Sequence, residues 1–272
     1  PTYVSTGQEA ESPRGRIYLM RQATERRIEW AQARPHIDAC MGCLGCQTAC
    51  PSGVPYAKLI EGARAEVEQH ARTPFQRLAR QQAIARFTNP THLRLMLRVA
   101  GALGFRRTPR WMARLLGASE SAVQLPGLPD RPWRPTQTVY PAKAQPPKAR
   151  VGLLLGCAMQ ALFGRVHRAT VGMLTLAGYE VHIPRNQGCC GALWVHNGYP
   201  DHARRNARRL LAAFREVDYI AVNAAGCGST MKEYGLLFRN APDHAEAERF
   251  AQRVRDVHEL LADAELPPPA RD

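Results

Sequence analysis

The sequence predicts an α+β / α/β mix: an all-helical N-terminal domain followed by an open α/β domain. Three observations predict it. Helical stripes recur before residue 118, where no strand pattern occurs. Seven prolines (126, 129, 132, 135, 141, 146 and 147) crowd residues 125–150, a composition that excludes helix and central strand. From Val151 onward, short apolar runs alternate with helical periodicity, as strands and crossover helices do.

Ser12-Pro13 reads as an N-cap with proline at the first helical position, and the helix is expected to run to about Arg34, stopped by Pro35. Ile17, Met20, Thr24, Ile28 and Ala31 fall on one face of it. Tyr56, Leu59, Ile60, Ala63 and Val67 form a second stripe, and further helices are predicted over about 74–88, 91–104 and 109–117. We place the domains at 1–124 and 151–272, with 125–150 as a semi-rigid, extended linker. Beyond it, Val151–Leu155, Glu180–Ile183 and Tyr219–Val222 read as buried strands. The first intervening helix carries Leu162, Val166, Ala169, Met173 and Leu176 in register, and the second, near 201–216, turns Ala203, Ala207, Leu210, Leu211 and Phe214 inward.

Chemistry is concentrated in the cysteines. Cys40, Cys43, Cys46 and Cys50, the last followed by Pro51, have the spacing C-x2-C-x2-C-x3-C-P. That is the bacterial ferredoxin ligand run for a [4Fe–4S] cluster, in which the fourth cysteine binds the other cluster of a two-cluster protein. Two-residue spacers let three thiolates grip three iron corners, whereas structural zinc takes ligand pairs separated by a longer loop. A helical ferredoxin-type domain and an electron carrier are therefore expected.

Cys157 and Cys227 each fall just after a predicted strand, and Cys189-Cys190 lies in the loop after another. Ligands of open α/β sheets gather at the carboxyl ends of strands, so these four thiols should meet on one edge as a second thiolate or cluster site. Isolated buried cysteines behave as small apolar residues, but a vicinal pair between two strand-end thiols points to metal or redox work.

Composition narrows the classes. At 272 residues the chain has room for two cores; 45% hydrophobic and 22% charged residues are ordinary for a globular protein. The longest uncharged apolar stretch, Val151 to Gly164, is too short to span a bilayer. No signal-like segment opens the sequence, so a reducing, cytoplasmic setting with thiolates held for metal is expected, peripheral to the inner face of a membrane at most. The net charge of +14 permits acidic partners, but no zinc finger, stacking motif or helix-turn-helix pattern supports nucleic acid. Neither G-x-G-x-x-G nor G-x-x-x-x-G-K occurs, so any flavin belongs to a partner.

Other residues admit two readings. Arg14 and Arg16 either steady a cluster's negative charge or dock a partner, or else form a solvated helix start. Segment 92–116 interleaves apolar side chains with Arg94, Arg98, Arg106, Arg107, Arg110 and Arg114; it either lies on an anionic membrane near a quinone or packs on its own domain. His196 is the histidine near enough in sequence to the Cys pair to serve it as ligand or proton carrier.

Residues 12–18 (Ser-Pro-Arg-Gly-Arg-Ile-Tyr), the Cys40–Pro51 run with Ser52-Gly53-Val54, Gln187–Leu193 and Asn223–Gly235 closely resemble the iron–sulfur subunit of bacterial glycolate oxidase. Relatives of that family include the iron–sulfur subunit of anaerobic glycerol-3-phosphate dehydrogenase and heterodisulfide-reductase-type proteins, which share a paired-cysteine "CCG" domain. The resemblance implies an electron-transfer subunit of an oxidoreductase, with no catalytic residue of its own. Flavoprotein partners holding FAD would oxidise glycolate, and electrons would pass toward quinone. The runner-up readings are the equivalent subunit for glycerol-3-phosphate or lactate, a catalytic disulfide reductase working at the CCG cysteines, and a zinc-stabilised binding module. The resemblance also implies two ferredoxin runs and two CCG repeats, of which this sequence shows one each, so we read it as a fragment. The cluster on Cys40, Cys43 and Cys46 would then draw its fourth thiolate from the absent run, or close on Cys50. The CCG pattern ends in C-x-x-C, but Thr230 stands where its last cysteine is expected.

Overall fold

The computed structural model describes residues 2–103, 133–262 and 264. The predicted helix over 109–117, residues 104–116 of the basic stretch and prolines 126, 129 and 132 lie outside them. The chain divides into two compact units. The described residues of the first are 2–85 and 193–200; those of the second are 86–103, 133–192, 201–262 and 264.

The described part of the first unit is helical throughout: α1 (Thr2–Thr6), a 3-10 turn (Glu9–Glu11), α2 (Pro13–Thr24), α3 (Trp30–Asp38), α4 (Gly45–Thr48), α5 (Tyr56–His70) and α6 (Pro74–Phe87). Ser12 caps α2 as expected, its hydroxyl accepting from the Gly15 N–H at 3.0 Å. The single helix expected to reach Arg34 is instead two. Arg26 turns left-handed (φ 57), which ends α2, and the Glu29/Gln32 capping box starts α3 afresh. Pro35 therefore lies inside a helix and stops none. Met20, Ala33, Ile37, Tyr56, Ile60, Ala63 and Val67 close the core of this unit. Glu68, buried, is neutralised by Arg72 and Arg80 and accepts from the Tyr199 hydroxyl.

The second unit opens with α7 (Pro90–Ala102) and is built on a five-stranded sheet. Its strands are β1 (Val139–Tyr140), β2 (Arg150–Leu153), β3 (Glu180–His182), β4 (Tyr219–Val222) and β5 (Val254–Asp256), in the order β1-β3-β2-β4-β5. Edge strand β1 runs antiparallel to β3; the other pairings are parallel. The helices are α8 (Ala158–Leu162), α9 (Gly164–Leu176), α11 (Pro200–Ala213), α12 (Ala225–Lys232), α13 (Tyr234–Leu237), α14 (His244–Arg253) and α15 (Val257–Leu261), while α10 (Ala192–His196), but for Ala192, belongs to the first unit. Alternation along the strands divides two cores. Ile220, Val222 and Val254 join Leu210, Phe214 and Phe250 on one face, while Val151, Leu153, Val181 and Ala221 join Leu174 and Leu260 on the other. Both faces being covered, the strands read as near-continuous apolar runs.

Strand β1 lies within the stretch expected to be an extended linker, and its place at the sheet edge is one that neighbouring prolines permit. From β2 the chain crosses to β3 on one side, then to β4 on the other. The strand order thus reverses at the carboxyl ends of β2 and β4, the position where doubly wound sheets hold ligands.

Candidate thiolate centres

All eight cysteines are unpaired. The first group lies between α3 and α5. Gly42 (φ 66) and Leu44 (φ 56), both left-handed, fold the chain tightly between Cys40 and α4, which carries Cys46. The Cys40 Sγ accepts from the Gly42 N–H at 3.4 Å and from the Tyr56 hydroxyl at 3.6 Å. Gln47 Oε1 accepts from the Ala57 N–H at 2.8 Å, and Arg64 Nη2 donates to the Cys40 carbonyl at 2.6 Å, fixing both ends of the loop to α5. After Pro51, the backbone N–H groups of Val54, Ser52 and Gly53 converge on Cys50 and lower its thiol pKa. Burial, with Cys40 beside it, raises that of Cys46.

Arg14 is exposed and paired with Glu9. Arg16 is buried, donating to the His36 carbonyl at 2.7 Å and to Thr2 Oγ1 at 2.9 Å and pairing with Glu11. His196 pairs with Glu61 within the helical unit, Nδ1 to Oε1 at 2.7 Å.

The second group forms at the strand reversal. Cys157 follows β2 at the N-cap of α8 and Cys227 lies in the first turn of α12 after β4, while Cys189 and Cys190 end the loop after β3. The four thiols form one coupled string. Beside Cys157 and Cys190, and with the Gly191 N–H donating to its Sγ at 3.4 Å, Cys189 is drawn down to about 4 against the effect of burial. Cys227, beside Cys190, is lowered as well, while Cys157 and Cys190 are pushed up by those neighbours and by burial. The protons thus belong to the string rather than to single residues.

The surrounding shell holds this geometry. Gly191 adopts φ +87, and a Cβ there would meet Ala203 Cα at 3.1 Å, so glycine alone fits the turn after the pair. Gln187 accepts from the Leu155 N–H at 2.8 Å and donates to the carbonyls of Leu153 (3.2 Å) and Pro184 (3.1 Å), tying the Cys189 loop to the end of β2. Tyr234, wholly buried, donates to the Cys190 carbonyl at 2.6 Å. His167 meets the Leu155 carbonyl through Nε2 at 3.0 Å, and the Asn223 amide lies 3.3 Å from its Nδ1. Sequence reasoning gave Tyr56, Gln187, Asn223 and His167 no role at the thiols, because their value lies in tertiary partners that no spacing announces.

Among the described residues, no group of three or more His, Cys, Asp or Glu side chains stands in ready metal-holding geometry. The donor chemistry nonetheless fits thiolate-ligated iron: free sulfurs, N–H groups directed at them, and no His or carboxylate bonded into either set.

Two sets of unpaired thiols, one in a four-cysteine loop and one at the strand ends of a doubly wound sheet, define a cysteine-rich, thiolate-centre protein. Residues 151–232 match the family model for the CCG cysteine-rich domain. The chain is 32% identical over 280 residues to the "Probable glycolate oxidase iron-sulfur subunit" of Bacillus subtilis (strain 168), covering 98% of this chain and 63% of that protein. It is likewise 32% identical over 278 residues to the glycolate oxidase iron-sulfur subunit of Escherichia coli (strain K12), at the same two coverages. Lactate utilization protein A of Geobacillus kaustophilus (strain HTA426) is 30% identical over 115 residues, 42% of this chain and 48% of that one. The chain thus spans 63% of the length of the two glycolate oxidase relatives. No solved structure matches it. The resemblance to glycolate oxidase iron–sulfur subunits is borne out, and residues 151–232 form a CCG domain. No helix among the described residues is long and apolar enough to cross a membrane.

Proposed function

We propose that this chain is the electron-transferring iron–sulfur part of a flavin-dependent glycolate oxidase. In this reading its helical unit is a ferredoxin-type domain whose Cys40, Cys43, Cys46 and Cys50 hold a [4Fe–4S] cluster. The observation that carries it is the C-x2-C-x2-C-x3-C-P loop in a chain similar over 98% of its length to two named iron–sulfur subunits. Bound there, a cluster supplies one-electron storage at a tuned potential. The chain's own residues hold the thiolates: Gly42 and Tyr56 donate to Cys40, and three backbone N–H groups support charge on Cys50. Cys157, Cys189, Cys190 and Cys227 form a second thiolate site. Flavoprotein subunits would take hydride from the 2-hydroxy acid, and quinone at the cytoplasmic face of a membrane would receive the electrons. Similarity to a lactate utilization protein supports lactate as the alternative substrate.

Anaerobic reconstitution tests the reading. We expect about four iron and four acid-labile sulfide for the loop, brown colour that bleaches on dithionite, and loss of that reduced-state EPR signal in Cys43→Ser or Cys46→Ser. Zinc without acid-labile sulfide would overturn it. The string of strand-end thiols favours one second reading, a disulfide reductase. Loss of disulfide reduction in Cys189→Ala with the loop's EPR signal intact would decide for it.

A further inference from the structure

Three arginines of the sheet-bearing unit converge where nothing described neutralises them. Arg94, Arg98 and Arg134 line one pocket of about 280 Å3, with Trp133, Thr91 and Gln160 in its wall. Arg94 and Arg98 lie one turn apart on α7, a spacing at which like charges repel. Burial, with Arg98 and Arg134 nearby, lowers the Arg94 pKa. Neighbouring arginines elsewhere are given carboxylates: Arg72 and Arg80 share Glu68, while Arg204 and Arg208 meet Asp201 and Asp243. Among the described residues, no carboxylate pairs with any of the three pocket arginines.

The pocket is built. Arg94 Nη1 donates to the Ala161 carbonyl at 2.6 Å, which fixes its fork and leaves Nε and Nη2 for a ligand. Trp133 is held by close approach to Gly164, where a Cβ would stand 2.7 Å from the Trp133 nitrogen. Its ring lies 6.5 Å from that of the buried His167. Two walls are thus set before anything binds, which cuts the ordering cost of binding.

We propose that this pocket binds a phosphate group, carried either by a soluble phosphate ester or by a lipid headgroup. A carboxylate offers two oxygens and one charge, enough for a single guanidinium fork. A phosphate monoester offers three terminal oxygens and up to two charges, matching three forks at once. The volume suits the group and a short stub of its carrier rather than a whole cofactor. Leu95, Met96, Val99 and Leu103 are exposed on or just beyond α7, an apolar margin such as a headgroup in a bilayer would meet. No cysteine lines the pocket, and the proposal goes beyond the redox reading.

The test needs no cluster. Inorganic phosphate is titrated calorimetrically into the full chain at low ionic strength, with acetate as the carboxylate probe. The variants are Arg98→Gln and Arg134→Gln, both at exposed positions, and Arg239→Gln, an exposed arginine elsewhere that removes the same charge. Saturable phosphate binding is expected, weakened about tenfold or more in each pocket variant and unchanged in Arg239→Gln. Vesicles of phosphatidylglycerol and phosphatidylcholine then distinguish the source. Co-sedimentation with the anionic vesicles that falls in the pocket variants assigns a headgroup; indifference to vesicles with phosphate binding intact assigns a soluble ester. Should either Gln variant fail to fold, the Lys variant at that position, which keeps charge but loses the fork, takes its place. No saturation, equal loss in Arg239→Gln, or acetate binding as well as phosphate overturns the proposal.

Discussion

Gln187→Ala removes a side chain that ties the end of β2 to the loop bearing Cys189 and Cys190. Its amide makes three hydrogen bonds, to the Leu155 N–H, the Leu153 carbonyl and the Pro184 carbonyl. Leu155 is buried, so its N–H has no ready replacement and costs about 1–3 kcal/mol when unpaired. The two lost donations add about 0.5–1 kcal/mol together, because carbonyls tolerate partial satisfaction better. A local loss of about 1.5–4 kcal/mol follows. By that amount, opening of the Cys189 loop becomes roughly 10- to 1,000-fold more frequent. Two measurements read it in the cluster-free chain: hydrogen exchange of the Leu155 amide, and the rate at which Cys189 is alkylated under native conditions. Both should rise together, while Gln187→Glu, which keeps the acceptor for Leu155, should rise less. If the amide stays protected and Cys189 reacts at its original rate in Gln187→Ala, the staple is not what holds the loop.

Three further outcomes are expected. Tyr56→Phe deletes the hydroxyl that donates to Cys40 Sγ at 3.6 Å; a donor to sulfur favours the more negative, reduced state, so a redox titration of the reconstituted chain should find a lower potential, by about 40 mV for each 1 kcal/mol of difference. His167 is buried and its imidazole pKa is lowered by burial. The unfolded chain therefore binds a proton below about pH 6.5 that the folded chain refuses, and stability falls with decreasing pH by up to about 1.4 kcal/mol per unit from this group. Urea unfolding between pH 7.5 and 5.5 should show a shallower fall in His167→Gln; equal slopes would refute it. In Gly152→Ala the new Cβ would overlap Cδ1 of Phe214, which is wholly buried, costing about 1–3 kcal/mol. Phe214→Leu in the same chain should recover part of that loss in a double-mutant cycle.

Much of this was legible because it rests on local pattern. β4 begins and ends at the predicted residues, and Ala203, Ala207, Leu210, Leu211 and Phe214 are all buried as helical period places them, whereas Val166, Ala169, Met173 and Leu176, read as one stripe of α9, are exposed and Val171 and Leu174 face the core instead. The meeting of Cys157, Cys189, Cys190 and Cys227 was legible for the same reason: strand ends in a parallel sheet share one edge. Other features were not. Arg26 carries no glycine or asparagine signal for its left-handed turn, so the break between α2 and α3 was invisible and Pro35 took the blame. β1 and β5 are only two and three residues long, too short to show alternation. The Arg94–Arg98–Arg134 pocket joins residues from two distant stretches, and nothing in either announces the other.

Thr230 decides which residues can build the second thiol site. It stands three residues after Cys227, where the CCG pattern would place another cysteine. Its hydroxyl donates to the Gly226 carbonyl at 3.0 Å, one turn back along α12, and the residue is buried. A helical threonine engaged in this way offers its hydroxyl proton to the backbone, and its oxygen is a hard donor where a cysteine would supply a soft one. In the proposed reading the second site is therefore made by Cys157, Cys189, Cys190 and Cys227, drawn from three strand ends instead of a terminal C-x-x-C. Such a set depends on sheet register and on the Gln187 tie more than on local spacing. Perturbing the sheet should accordingly disturb this site, whereas the Cys40–Cys50 loop holds its four cysteines within eleven residues and should be disturbed less.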